Sequence, residues 1–166
     1  MENIPTGTEM TQVEDALPPE VERRLVLRVL GYWRPLCDDR EFPSLADLDP
    51  SVIPDMWPHC FVLDVGASGQ EPRFKALGDA IAATHHPSPV GKAVSEISRD
   101  CLLGVAVAYV DEMLTRRVPI SRGDEFVSAA GTRILYRSIL LPMSDDGETV
   151  NGILGAVNCR ELPGSD

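Results

Sequence analysis

The chain has 166 residues, with 26 acidic against 15 basic residues, a net charge of −11, and a 43% hydrophobic share. That length holds one domain with a sizeable core, and the apolar content places the chain outside the disordered class. An acidic chain is a poor reader of phosphate backbones and of anionic bilayers, so neither a nucleic-acid partner nor membrane insertion is expected.

Residues 1–16 are polar and read as a mobile tail. The next unit, 17–58, reads as an N-terminal helix and a Pro-rich connector. Pro18-Pro19 lead into a helix from about Glu20 to Leu36, with Val21, Leu25, Val29, Trp33 and Leu36 at helical spacing. Val26, Leu27 and Leu30 widen that stripe beyond a single face. So wide a stripe is covered either by burial within the chain or by its own sheet on one side and a second copy of the protein on the other. Leu25, Val26, Val29, Leu30 and Trp33 are therefore the candidate interaction residues, for a homodimer through this helix. Ser44 and Asp49-Pro50 are expected to start short helical turns, and Ile53-Pro54 and Trp57-Pro58 interrupt regular structure.

The unit 59–161 reads as the core of the domain. His59 to Val65 is apolar and strand-like, Gly66-Ala67-Ser68-Gly69 supplies a turn, and Arg73 to Gly78 alternates, which makes an antiparallel hairpin. Asp79 is placed to cap a helix through Ala80–Ala83. His85-His86-Pro87-Ser88-Pro89 is a loop, Ser95-Glu96 a turn, and 98–117 a long helix ending on Arg116-Arg117. Three strands follow, around 120–128, 132–141 and 150–159. The turns between them are at Ala130-Gly131 and Ser144-Asp145-Asp146-Gly147. Gly152 and Gly155, inside a strand, mark close approach of another backbone. Helix, two strands, helices and three strands close most simply as a five-stranded antiparallel sheet with helices on one face and an additional N-terminal helix, an α+β fold.

Arg73-Phe74-Lys75-Ala76-Leu77-Gly78-Asp79-Ala80-Ile81 resembles the second strand and first helix of a PAS domain, closest to the stand-alone alphaproteobacterial PAS proteins. Tyr32-Trp33-Arg34-Pro35-Leu36 is similar to that group's "YWR" helix end. Phe42-Pro43-Ser44, Asp47-Leu48-Asp49-Pro50, Ile53-Pro54 and Pro58-His59 are similar to its connector, and Ile139-Leu140-Leu141-Pro142 and Ile153-Leu154-Gly155-Ala156 to its last strands. The resemblance covers roughly residues 25–160. It implies a PAS-like sheet whose concave face, closed by helices, surrounds a small pocket. The N-terminal helix would lie on the outer face or across a dimer. Phe74, Ile81, Tyr109, Met113 and Tyr136 are the ligand-pocket candidates, though apolar residues at these spacings also serve as plain core.

No catalytic constellation emerges. His85-His86 lack partners at metal-ligand spacing and read as solvated loop histidines; His59 reads as structural. The cysteines at 37, 60, 101 and 159 form no C-x-x-C pair and read as plain thiols. Asp145, Asp146 and Glu148 form an acidic turn short of a calcium loop, and Gly66 and Gly69 lack a phosphate-binding pattern. Arg133 and Arg137 share a strand face, where Glu125 or Asp124 can pair with them. No metal site and no cofactor are assigned. No basic-then-apolar leader is present and the longest mostly apolar run, Cys101–Val110, cannot span a bilayer, so a cytoplasmic location is expected. With no output segment read in the sequence, the expected function is that of a stand-alone PAS-type sensory or protein-interaction module, bacterial and non-catalytic. It would act through an unidentified protein partner. The alternatives are a small α+β cone-fold enzyme and a haem or small-ligand binding sensor.

Overall fold

A computed structural model describes residues 20–66 and 71–163, with side chains from Arg24 onward. The expected tail 1–16, Pro18-Pro19, the side chain of Val21 and most of the Gly66–Gly69 turn lie outside the described residues. Helix α1 (Glu20–Cys37) comes first, followed by short 3-10 turns at Leu45–Asp47, Pro50–Val52 and Trp57–His59. Strands β1 (Cys60–Asp64) and β2 (Arg73–Leu77) lead into helices α2 (Asp79–Ala82), α3 (Leu102–Ala106) and α4 (Val110–Arg116). Strands β3 (Ile120–Val127), β4 (Arg133–Met143) and β5 (Gly152–Glu161) finish the chain. The five strands make one antiparallel sheet in the order β2-β1-β5-β4-β3. The α+β fold class expected from the order of elements is the one observed.

Local chemistry sets the connector. Ser44 accepts from the N–H of Ala46, and the Asp47 carboxylate accepts from the N–H of Ser44, closing a capping box. Asp49 accepts from the N–H of Ser51 at the start of the next turn, as its sequence predicts. Asp79 departs from expectation: Gly78 occupies the cap, and Asp79 lies in the first turn, where its charge faces the positive helix end.

The sheet is covered on both sides. On the outer face, α1 lays Leu25, Val26, Val29, Leu30 and Trp33 against Cys60, Val62, Ile139, Leu141, Leu154 and Ala156. The indole N–H of Trp33 donates to the Pro142 carbonyl at 3.0 Å. Burying each such side chain contributes about 1.5–3 kcal/mol, so the helix is held chiefly by this stripe. The stripe stops at Leu27, which is 43% exposed. On the inner face, α2, α3 and α4 cover Phe61, Leu63, Phe74, Ile120, Leu140 and Ile153.

Two expectations are corrected. The single helix over 98–117 is broken into α3 and α4 by a turn at Val107–Tyr109. Tyr109 is held from outside the helix, its hydroxyl 2.8 Å from Ser138 Oγ and its ring 5.5 Å from the Arg122 guanidinium. Tertiary contacts thus override a continuous helical pattern. Gly155 is required by a side chain, not by another backbone: a Cβ there would run into the ring of Phe61, its cross-strand partner. At Gly152 the nearest atoms belong to the Leu45 side chain.

The covered stripe on α1 sets two leucines against each other. Leu30→Ala is expected to cost about 2–5 kcal/mol, and Leu27→Ala on the same helix less than about 0.5 kcal/mol, measured by urea unfolding. At the β4–β5 turn the Asp146 carboxylate accepts from the N–H groups of Thr149 and Glu148 and from Ser144 Oγ, which holds its pKa down at about 2. A depressed carboxylate stabilises the fold above its unfolded pKa and loses that contribution as pH falls through the folded value. Melting temperatures of wild type and Asp146→Asn should therefore converge between about pH 4 and about pH 2.

Candidate functional site

The centre of the inner face is packed with side chains. Phe61 and Phe74 meet there with ring centroids 6.3 Å apart, and Leu103, Met113, Ile120 and Leu140 fill the remaining space, all fully or almost fully buried. An open volume lies at one end of the sheet, where β3 turns into β4 and β5 finishes. There a cavity of about 400 Å³ is walled by Phe126, Ser128, Ala129, Ala130 and Ile134 on one side. Thr84, His85, Asp100, Cys101 and Leu102 form the other side, with Cys159 and Glu161 from the end of β5. A second cavity of about 240 Å³ adjoins it and shares Thr84, Leu102 and Cys159, with His59, Ala80 and Ile81 on its wall.

The five pocket candidates therefore divide. Ile81 lines the smaller of these cavities, whereas Phe74, Tyr109, Met113 and Tyr136 line neither. Phe74 and Met113 are core; Tyr136 packs edge-on against Phe126 with centroids 5.8 Å apart. Burial pushes both tyrosine hydroxyls up from the ordinary value, against the Ser138 bond in the case of Tyr109. The five interaction candidates, Leu25, Val26, Val29, Leu30 and Trp33, are at most 7% exposed against the chain's own sheet. The outer face of the sheet needs a cover, and this stripe supplies it.

The cavity contains a pair that its two residues, 16 positions apart, do not announce in the sequence. His85 follows α2 and bends back along it. Its Nδ1 lies 2.9 Å from the Ile81 carbonyl, a group that only accepts, so Nδ1 carries the proton. Nε2 is left as the acceptor and takes the N–H of Leu103 at 3.4 Å. Cys101 sits at the start of α3, its S–H donating to the Ser98 carbonyl at 3.3 Å and its sulfur accepting from the Gly104 N–H at 3.4 Å. A Cβ on Gly104 would strike the Ser98 carbonyl, so the glycine lets the segment before Cys101 fold tightly against α3.

The two titrations are matched. Burial works to raise the Cys101 thiol, but the bond to His85 and the N–H groups of Gly104 and Leu103 outweigh it and hold the thiol below its ordinary value. His85 is held above its ordinary value, chiefly by Cys101 and also by the Ile81 carbonyl, against burial. Cys60 is the contrast: burial alone pushes it up to about 12. Cys37 is likewise raised by burial. None of the four cysteines is in a disulfide. His86 lies on the surface, its Nε2 3.1 Å from the Ala83 carbonyl. Among the described residues no group of three or more His, Cys, Asp or Glu is placed to hold a metal ion, and no helix is long and apolar enough to cross a membrane.

The strand arginines separate as well. Arg133 pairs with Glu125 at 2.7 Å, as their proximity on neighbouring strands predicts. Arg137 is instead 1% exposed on the α1 side of the sheet.

Two solved structures are similar to this chain. One is the LOV domain from Erythrobacter litoralis EL346 blue-light activated histidine kinase, with TM-score 0.45 and 12% identity, covering 62% of this chain and 95% of that one. The other is the light-state structure of the blue-light photoreceptor Aureochrome1 LOV, with TM-score 0.45 and 12% identity, covering 70% of this chain and 89% of that one. No curated protein matches the chain. A family model described as "PAS domain" matches residues 22–158, which includes α1, the connector and almost the whole sheet. With the five-stranded antiparallel sheet and its helical cover, this match establishes that the chain belongs to the PAS-domain family.

Proposed function

We propose that this protein is a sensory or interaction module of the PAS type that works by binding and not by turnover. A small organic molecule enters the cavity at the β3–β4 end, and the occupied and empty forms are read by a partner protein. The observation that carries this reading is the cavity of about 400 Å³, whose walls combine Phe126, Ile134 and Leu102 with the polar atoms of Thr84, His85 and Cys101. That volume and mixture suit a small ligand held by shape and a few directed bonds. The wall formed by 84–85 and 100–102 belongs to the α2 and α3 region, the least regular part of the core. A ligand that prefers one arrangement of that wall shifts the population toward it.

Partner contact at the helix would have to use its outward side, because the inward stripe is spent on the sheet. Among the described residues of the helix, Leu27, exposed between Arg24 and Arg28, is the large apolar side chain turned outward. Deleting α1 would bare the outer face of the sheet, so a surface substitution is the cleaner test. A catalytic reading would have to pass through the same cavity and would consume what it binds.

Ala130→Trp, at the exposed mouth of the cavity, should leave stability within about 0.5 kcal/mol of wild type. It should abolish the ligand-observed NMR signals that small-molecule mixtures give with the wild type. Binding that survives the tryptophan, or a ligand chemically changed by the wild type, speaks against the reading. Leu27→Glu should keep ligand binding and lose capture of the partner from a native lysate; capture unchanged by Leu27→Glu removes the helix as the contact surface.

A further inference from the structure

We propose that the ligand of this protein is an aliphatic carboxylate, its head held between α1 and the start of β1 and its chain running around the margin of the sheet into the inner-face cavities. The inference rests on those cavities being the ligand site, and it names the class of occupant and its direction. It starts from a mismatch in strand length. β1 begins at Cys60, opposite Ala156, because the 3-10 turn Trp57–His59 stands before it and Pro58 has no N–H to give a strand partner. β5 continues to Glu161, paired on its other side with β4 as far as Ile134. Among the described residues, no strand therefore lies beside one edge of β5 from Val157 to Glu161, and the two faces of the sheet communicate there.

Three cavities follow that edge. On the α1 side a cavity of about 190 Å³ is walled by Arg24, Leu25, Arg28, Asp55, His59 and Asn158. His59 and Asn158 also line the cavity of about 240 Å³. Thr84, Leu102 and Cys159 join that cavity to the one of about 400 Å³. The wall changes character along the path. It is almost wholly polar in the first cavity, gains Ile81, Leu102 and Val157 in the second, and gains Phe126 and Ile134 in the third. A molecule with a charged head and a hydrocarbon body matches that gradient.

The head end favours an anion of single charge. Arg24 and Arg28 bring two positive charges, and Asp55, bonded to Arg28, offsets one. A guanidinium has several N–H donors, so the Arg28 bond to Asp55 through Nη2 leaves others for a ligand. His59 and Asn158 add donors where the polar cavity meets the apolar ones. Asn158 Oδ1 accepts the Cys159 N–H at 2.9 Å, which leaves the Nδ2 group to donate. Among the described residues, neither that group nor the His59 ring has a hydrogen-bond partner. The wall of the largest cavity carries Asp100 and Glu161 and no Lys or Arg, so a carboxylate is turned away from that end and toward the arginines.

The test titrates the full chain with decanoate, kept below its micelle concentration, and with decanol, decylamine and butyrate. Decanoate is expected to bind about tenfold more tightly than decanol, because its head makes charge-assisted bonds. Decylamine, with the opposite charge, and butyrate, too short to reach the apolar cavities, are expected to bind more weakly than decanoate. Nuclear Overhauser contacts should place the terminal methyl of decanoate against Ile134 or Phe126. Arg24→Gln and Arg28→Gln replace exposed side chains, so the fold persists. Each is expected to lower decanoate affinity about tenfold and to leave decanol unchanged. Ala80→Trp, at an exposed position on the middle cavity, should abolish both. Decanoate binding no better than decanol, or unmoved by both arginine substitutions, overturns the carboxylate head while decanol binding keeps the cavities as a ligand site. Butyrate binding as tightly as decanoate overturns the chain, and a terminal methyl lying against Leu25 overturns the direction. If neither decanoate nor decanol binds, the small-molecule mixtures decide. Cavity signals from other compounds then overturn the class of ligand alone, and silence overturns both readings.

Discussion

The structure depends on β5 being buried on both of its faces. From Gly152 to Val157 every residue is buried, with Leu154 and Ala156 under α1 and Ile153 and Val157 under the inner helices. A strand so placed at the centre of an antiparallel sheet cannot leave either side to water. That requirement fixes the positions of the other elements. It assigns the stripe of α1 to the outer face and drives Phe61, Phe74, Leu103 and Met113 into the middle of the inner face. It also makes Gly155 a fitted position, because the Phe61 ring lies where a side chain on β5 would stand.

The same constraint explains where the cavity is. The centre of the inner face is occupied by aromatic and aliphatic side chains in contact, and the cavity of about 400 Å³ lies at the sheet end, with Cys101 and Leu102 at the start of α3 on its wall. Small residues at the β3–β4 turn, Ala129 and Ala130, leave that end unfilled. The site is thus a by-product of how the helical segment is divided. The break at Val107–Tyr109 and the tight approach of 98–101 to Gly104 deliver Cys101 to the cavity wall.

The architecture was largely legible in the sequence because it is carried by local patterns: the α1 stripe, the turn chemistry at Ser44, Asp49 and Ser144–Gly147, and alternation along β4. What the sequence concealed is non-local. Nothing in the pattern of 98–117 reveals that Ser138, on β4, takes the Tyr109 hydroxyl and interrupts the helix. Leu27 is as apolar as Leu30, and only the side of the helix on which the sheet lies decides which of them is covered. The candidate site was the least legible part. Of the aromatic and methionine positions read as a pocket, Phe74, Met113 and Tyr136 are buried core and Tyr109 is partly buried against it, because residues large enough to line a hollow are also large enough to close it. His85 and Cys101 were each read singly, as a loop histidine and a plain thiol. The sole hint lay in Cys101 standing immediately before an apolar run, and a partner 16 residues upstream has no spacing rule to betray it.

Both tryptophans of the chain lie on one side of the sheet. Trp33 is bonded to the Pro142 carbonyl within the outer cluster, and Trp57 packs against the same cluster. The cavity wall has none. Ultraviolet emission from this protein is therefore a native gauge of the outer layer, blind to direct contact with anything bound beneath. A spectral change on loading the cavity would mean that strain has crossed the sheet from one face to the other, which turns two ordinary indoles into a built-in detector of through-sheet communication.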